Sequence, residues 1–359
     1  MMKMPINAAQ QFSRSVENIQ PLGNGLINDT FLVTTEAKPF VLQRVNKQVF
    51  PKPEQIMANL IVLNQHIKQT NDTQSVLKIP QLLTTETDSN FFCDGQGDYW
   101  RALSYIKNTE SLETISNLAQ AGQVGFALGQ FHRLTHRLDS GQLYDTLPGF
   151  HLTPEYLDHY RQVKNWAKIP EDTYCADFIA RYQFIANDLE AARAQGLLSP
   201  RVIHGDPKLN NFLFDKTSQH VVSIIDLDTV KPGLIHYDIG DCLRSCCHNA
   251  AADTFDLEIC HALLTSYLGE MGAFLAKSDY QFLYAAIRLI PFELGIRFYS
   301  DYLEGNRYFK VVDPQENLRR AASQFRLCGS VMAQEAEIQD LIKQWYGPLP
   351  PYGIDVPVW

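Results

Sequence analysis

Residues 202–229 read VIHGDPKLNNFLFDKTSQHVVSIIDLDT, and this stretch constrains the fold of the chain more than any other. A polar loop, HGDPKLNN, leads into two short apolar runs separated by a polar turn. Runs of that length with polar boundaries predict two buried strands after a loop. Buried strands need a second layer over them, so the surrounding chain has to supply a core. His204, Asp206 and Asn211 lie in the loop, and Asp226 and Asp228 lie where the second strand ends. One end of a strand pair thus gathers a proton acceptor, an amide oxygen and two hard carboxylates.

The chain is long enough for that core. Its 359 residues fit about two domains or one large bilobal unit, and 45% are hydrophobic against 20% charged, as in ordinary soluble proteins. A net charge of −9 argues against a general grip on nucleic acid or on an anionic membrane, while leaving room for a local basic pocket. The N-terminal stretch MMKMPINAAQQFSRSVENIQ lacks the long apolar segment of a signal peptide. No apolar run reaches bilayer-spanning length, and the run over 284–292 is interrupted by Arg288. Seven cysteines, an odd number, point to reduced thiols and a cytoplasmic chain. Cys242, Cys246, Cys247 and His248 crowd together without the two matched ligand pairs of a zinc site, so they read as small buried residues on a helix.

Read in order, the chain begins with helical spacing over 8–19. Two strand-like runs then flank Gly23-Asn24-Gly25, and a third run covers 39–45. Residues 53–69 put Ile56, Leu60, Leu63 and Ile67 on one helical face. Strands are expected over 79–85 and 99–106, with the turn CDGQGD between them. The pattern predicts a small α+β lobe over residues 1–105, with a five-stranded antiparallel sheet and one helix after the third strand. Residues 104–107 are the connector. From 106 to 359 strand signals fade, and helical patterns cover 118–137, 154–166, 177–196, 256–271, 279–302 and 314–345. Gly196 reads as the C-cap of the third of these. The opening stretch is then a loop and two strands set into a mainly helical lobe. The tail over 347–359, with four prolines, reads as an extended surface segment.

Transfer of a phosphoryl group to a hydroxyl needs an aspartate to take the hydroxyl's proton. It also needs an asparagine, and a further aspartate past a strand, to hold the metal. Asp206, Asn211 and Asp226 occur in that order. His204 fits a bracing role, and Lys208 is placed to neutralise charge that develops on the transferred group. The glycine turn Gly23-Asn24-Gly25 permits close backbone approach to phosphates, although such a turn also serves as a plain hairpin.

HGDPKLNN followed by IIDLDT resembles the aminoglycoside phosphotransferase and choline kinase superfamily, which shares a bilobal protein-kinase-like fold. GLINDTFLVTT, FVLQRVN, IIDLDTVKPG, YDIGDCLR and ELGIRFYSDYLEGNRYF extend the likeness, over residues 25–309, to the N-acetylhexosamine 1-kinases. The resemblance implies phosphorylation of the anomeric hydroxyl of N-acetylglucosamine or N-acetylgalactosamine, with ATP and Mg2+ as cofactors. The sugar would be the partner, with no nucleic acid or membrane, for a monomer or homodimer. It implies Asp206 as the base, Asn211 and Asp226 as the metal-holding pair, and Arg297 and Tyr308 as sugar contacts. Gly23, Asn24, Gly25, Arg44 and Tyr105 are the expected nucleotide-side residues. A structural reading of Arg297 is a surface arginine paired with Glu293, four residues earlier. Asp238 is expected to fix the catalytic loop, and Arg244 to pair with Asp238 or Asp241.

Three departures stand out. Protein kinases carry a lysine on the third strand, paired with a helix glutamate. This chain has Gln43 and Arg44 on the strand and Asn59, Leu60 and Ile61 at mid-helix, so either Arg44 or the glycine turn and metals must hold the phosphates. Leu26 replaces a histidine and Ser245 an aromatic residue of the sugar kinases, both at positions expected to face the sugar. An aminoglycoside or other small-amine kinase is the competing reading, opposed by the positive charge of Arg297. A non-catalytic binding protein of the same fold is a third, opposed by the intact Asp206, Asn211 and Asp226.

Overall fold

Period-two alternation in the first third of the chain builds an antiparallel sheet. In the computed structural model, which describes residues 5–23, 27–70 and 75–346, a short helix α1 (Ile6–Ala9) precedes it. Its strands are β1 (Val16–Pro21), β2 (Asp29–Thr35), β3 (Phe40–Arg44), β4 (Leu82–Leu83), β5 (Phe92–Cys93) and β6 (Tyr99–Ser104). They lie in the order β1-β2-β3-β6-β4, with β5 paired to β6. Phe31, Val33, Phe40, Leu42, Trp100 and Ala102 alternate onto one face, where Ala8 and Ala9 help cover them. Alternation puts Gln43 and Arg101, directly opposite in the β3–β6 register, on the other face. Helix α2 (Pro53–Thr70) buries Ile56, Met57, Leu60 and Leu63 in the main core.

The sequence expectation differs from this lobe in two places. Residues 16–19 belong to β1, not to a leading helix, because Val16 to Pro21 pair with β2. The sheet has six strands, not five. Phe92 and Cys93 pair with Trp100 and Tyr99 across a turn in which the Asp94 carboxylate accepts the N–H groups of Gln96 and Asp98.

The remainder is mainly helical. In chain order it contains β7 (Thr109–Ser111), α3 (Leu118–Thr135), α4 (Thr153–Trp166), α5 (Thr173–Tyr182), α6 (Asp188–Ala194), β8 (Arg201–Ile203), β9 (Phe212–Asp215), β10 (Val221–Ile224) and β11 (Lys231–Gly233). Then come α7 (Ile235–Cys246), α8 (Leu257–Met271), α9 (Lys277–Gln281), α10 (Leu283–Leu303), α11 (Glu316–Ala333) and α12 (Glu335–Tyr346). The expected single helix over 177–196 is broken by a 3-10 turn, Gln183–Asn187, and the one over 314–345 breaks at Gln334. The strand pair read from the sequence is β9 and β10, joined by β7 in the order β10-β9-β7. Phe212 and Phe214 are fully buried there, each stabilising the fold by about 1.5–3 kcal/mol. Helices α3 and α8 touch at backbone level: a Cβ on Gly125 would lie 2.0 Å from the Leu263 carbonyl oxygen. Among the described residues no helix is long and apolar enough to cross a membrane.

Candidate active site

The loop after β8 is held from beneath by one buried carboxylate. Asp238 on α7 accepts the backbone N–H groups of His204 and Gly205 at 2.6 and 2.8 Å, and lies 2.9 Å from His132 Nε2. Burial opposes its charge, but the His132 hydrogen bond and the neighbouring histidines hold its carboxyl below the usual range. His204 completes the brace. Its Nε2 donates to the Ile225 carbonyl at 3.0 Å and its Nδ1 accepts the Asp206 N–H at 3.3 Å. That pattern requires a neutral ring, and burial lowers its pKa accordingly. Gly205 is required by shape as well. Its φ is +87°, and a Cβ there would lie 2.6 Å from the Thr229 carbonyl oxygen.

This brace presents Asp206, Lys208 and Asn211 together. Lys208 Nζ donates to Asp206 Oδ2 at 2.6 Å. Burial works against the ammonium charge, but Asp206 and then Asp226 raise its pKa well above normal. Asn211 Nδ2 donates to the Asp206 carbonyl at 2.7 Å, leaving the amide oxygen without a hydrogen bond among the described residues. Asp226 sits at the end of β10 in the left-handed region, φ 65° and ψ 56°. Its neighbour Ile225 is pinned at both ends, N–H to Asn211 and carbonyl to His204, which holds this uncommon conformation in place. The Asp226 carboxylate is open to solvent yet ringed by protein on most sides. Burial, followed by the Asp228 charge, raises its pKa to about 6.

The amide oxygen of Asn211 and the carboxylate of Asp226 therefore stand at the ends of adjoining strands, unclaimed among the described residues. Two such ligands, completed by phosphate oxygens and water, are how magnesium is held at a nucleotide. Among the described residues no three His, Cys, Asp or Glu side chains gather as a metal cage. Asp228, read from the sequence as a second hard ligand, is committed elsewhere. Its Oδ1 is paired with Arg101 and its Oδ2 accepts Asn28 Nδ2 at 2.7 Å. Arg101, 1% exposed, also donates to Gln43 Oε1 at 2.8 and 3.0 Å. The Gln43 amide nitrogen is spent on Thr30 at 3.1 Å. A buried arginine on β6 thus joins the N-terminal sheet to the metal-side strand end. At mid-helix in α2, Asn59 clamps the segment after it, donating to the Val230 and Tyr144 carbonyls at 2.9 Å.

Arg44 does not face this cluster. It lies on the Trp100 face of the sheet, 6.0 Å from that ring, and pairs with Asp29 and Asp98. The expected reach of Arg44 to phosphates is therefore not the arrangement observed, because strand alternation turns it away. Gly23 lies between β1 and β2 with φ +69°, while Asn24, Gly25 and Leu26 lie outside the described residues. Tyr105 is half-buried directly after β6.

Arg297 of α10 sits in an aromatic cage within electrostatic reach of Asp206. Its guanidinium carbon is 5.0 Å from the Phe150 and Tyr156 rings and 5.7 Å from Phe309. Among the described residues it makes no hydrogen bond or ion pair. Burial opposes its charge, but Tyr156, Glu293, Tyr308 and Asp206 lie close enough to raise its pKa. Glu293, the expected partner, is taken by His151 and Thr153. Tyr308 is 54% exposed beside Phe309, its ring 4.8 Å away. Their loop is formed by Asp301, whose carboxylate accepts the N–H groups of Arg307, Tyr308 and Phe309 at 2.7–3.0 Å. The Ser245 Oγ accepts the Leu209 N–H at 2.9 Å and so helps hold the loop that carries Asp206. Arg244 pairs with Asp241, not with Asp238.

Arg101, His151, Phe150, Tyr156 and Asp301 were not read from the sequence. The first four are single residues in unmarked stretches whose roles depend on partners distant in the chain, whereas Asp301 acts locally, within a segment singled out only for its resemblance.

A family model described as a phosphotransferase enzyme family matches residues 18–274. Among solved structures, an aminoglycoside phosphotransferase from Alicyclobacillus acidocaldarius is 17% identical with TM-score 0.66, covering 96% of this chain and 98% of that one. An amicoumacin kinase in complex with AMP-PNP and Ca2+ is 11% identical with TM-score 0.62, covering 89% and 92%. A microcompartment-associated aminopropanol kinase is 15% identical with TM-score 0.58, covering 93% and 98%. At these identities the likeness is one of fold.

Proposed function

The chain belongs to the phosphotransferase enzyme family, and on that premise we propose that it transfers the terminal phosphoryl group of ATP to the anomeric hydroxyl of an N-acetylhexosamine. It is a small-molecule phosphotransferase; the acceptor, the nucleotide and the residue roles are the proposal. One observation carries the choice of acceptor: Arg297 is caged by three rings within electrostatic reach of Asp206, with no hydrogen bond or ion pair to its N–H groups among the described residues. Such a group favours neutral oxygen-rich ligands and repels polycations. Ring hydroxyls and an acetamido carbonyl suit its planar donors, and Tyr308 or Phe309 can cover the apolar face of a pyranose.

In this reading Asp206 accepts the proton of the acceptor hydroxyl as the new oxygen–phosphorus bond forms. Lys208, bonded to Asp206, supplies positive charge where the transferred group gathers negative charge. Asn211 and Asp226 would hold magnesium, which when bound draws charge from the phosphate oxygens. The Arg101–Asp228 pair fixes the strand end that carries Asp226.

Replacing Asp226 by Ala is expected to raise the magnesium concentration needed for half-maximal rate by about tenfold or more, the loss of on the order of 1.4 kcal/mol of binding. A magnesium titration checks this, and an unchanged curve removes Asp226 from the metal site. Arg297→Ala tests the acceptor. It is expected to raise the sugar KM by roughly 10- to 100-fold, the loss of about 1.5–3 kcal/mol from charge-assisted hydrogen bonds, with the ATP KM little changed. Equal effects on both substrates would point to general damage and against the assignment.

A further inference from the structure

His151 has an uncommon position. Its φ is +69°, in the left-handed region, and it is 3% exposed. Its ring lies between Phe150, at 4.0 Å, and Tyr237, stacked at 5.3 Å. Nε2 is 2.8 Å from the Gly205 carbonyl oxygen, and Nδ1 is 3.0 Å from Glu293 Oε1. Glu293 Oε2 accepts the Thr153 hydroxyl at 2.8 Å. Glu293 stands one helical turn before Arg297 on α10, and Gly205 immediately precedes Asp206. Phe150, next to His151 in the chain, is one wall of the arginine cage.

We propose that His151 is a positioning residue: as an imidazolium it ties the helix bearing Arg297 to the loop bearing Asp206. The proposal rests on the reading of Arg297 as the acceptor contact and Asp206 as the base. A carbonyl oxygen only accepts, so Nε2 carries a proton; Nδ1 faces a carboxylate and donates to it. A neutral ring has one N–H. One tautomer keeps the Gly205 link and sets a lone pair against Glu293, and the other keeps Glu293 and releases Gly205. With Glu293 ionised, both links coexist only when the ring is doubly protonated. Burial disfavours the charge, but Glu293 overrides it and raises the His151 pKa. Burial likewise opposes the Glu293 charge, yet His151, then Arg297 and Thr153, hold its carboxyl below the usual range.

The titratable groups facing the ring are Glu293 from α10 and Tyr237 and Asp241 from α7; behind them Arg297 neighbours Glu293, Lys208 of the loop neighbours Asp241, and Tyr156 of α4 and Asp206 neighbour Arg297. Lys208, Arg297, Tyr156 and Tyr237 are all raised above already alkaline ordinary values. His151 is therefore the group that loses its proton first as pH rises from neutral. Its raised pKa means that the tie is present at lower pH and is lost as pH climbs through that value.

The test combines ring 15N NMR of the full-length protein with steady-state kinetics across pH on wild type, His151→Gln and Glu293→Gln. The expected wild-type ring carries two protons at about pH 7, and kcat falls as the second is lost. His151→Gln is expected to lower kcat about tenfold and raise the acceptor KM, with the ATP KM within about twofold. Glu293→Gln, whose amide can donate to a neutral Nδ1, is expected to remove that alkaline fall in kcat. A wild-type ring that is neutral at about pH 7 overturns the proposal, as does His151→Gln with unchanged kcat and acceptor KM. If His151→Gln does not fold, an unaltered alkaline limb in Glu293→Gln overturns it instead. Should Arg297→Ala leave the acceptor KM untouched, the acceptor-site reading fails on its own, and the ring protonation is still decided by NMR.

Discussion

Asp206→Asn is expected to cut turnover by roughly 10²- to 10⁴-fold while leaving ATP affinity within about twofold. The substitution keeps the bulk of the side chain and removes its capacity to take a proton. Little else should change, because the loop does not depend on that carboxylate for its shape. Asp238 and His204 hold it through backbone hydrogen bonds, and Asn211 binds the Asp206 carbonyl, not its side chain alone. An asparagine oxygen can still accept from Lys208 Nζ. The readouts are kcat from ADP release and nucleotide affinity by calorimetry. Wild-type turnover in the variant would mean that Asp206 is not the base. A parallel loss of ATP affinity would mean that the loop had collapsed.

Arg101→Met carries the largest expected cost in stability. It leaves Asp228, with a side chain 3% exposed, as a buried carboxylate facing Asn28 without its cation. Breaking a buried ion pair from one side costs about 3–5 kcal/mol, because the remaining charge is neither solvated nor paired. The double variant Arg101→Met/Asp228→Leu removes both charges and is expected to recover most of that loss, by the same reasoning. Urea denaturation of the four proteins in the cycle measures both effects. A single variant within about 1 kcal/mol of wild type would show that the pair is not holding the lobes at this point. Activity gives a second readout. Gln43 Oε1 loses both Arg101 hydrogen bonds, so the sheet face behind Asp226 loosens and kcat/KM for ATP should fall in the single variant.

The grouping of the candidate residues was legible in the sequence to the extent that it is local. His204, Asp206, Lys208 and Asn211 occupy one loop, and Asp226 follows the next strand pair, so spacing alone indicated that they would gather. Strand and helix order followed from periodicity, since β2, β3, α2 and α3 each keep one apolar face. Local resemblance misled where helix and strand patterns overlap. Residues 16–19 alternate loosely enough to pass for helix until pairing with β2 decides the matter. The break at Gln183–Asn187 has no proline or glycine to announce it. Long-range pairing was the other limit. Nothing in the strand YWRALS says that Arg101 will meet an aspartate 127 residues later. The four-residue spacing of Glu293 and Arg297 suggested a surface pair, but His151 and Thr153, 142 and 140 residues away, take the glutamate and leave the arginine to its aromatic cage.

The most direct measurement is ADP release from magnesium ATP against N-acetylglucosamine, N-acetylgalactosamine, choline, homoserine and kanamycin, followed by hydrolysis of the product. The expected result is turnover with an N-acetylhexosamine and a product that is stable in base and labile in mild acid, as an anomeric phosphate is. Turnover with kanamycin or choline alone, or a sugar phosphate that survives mild acid, would contradict the proposed acceptor hydroxyl.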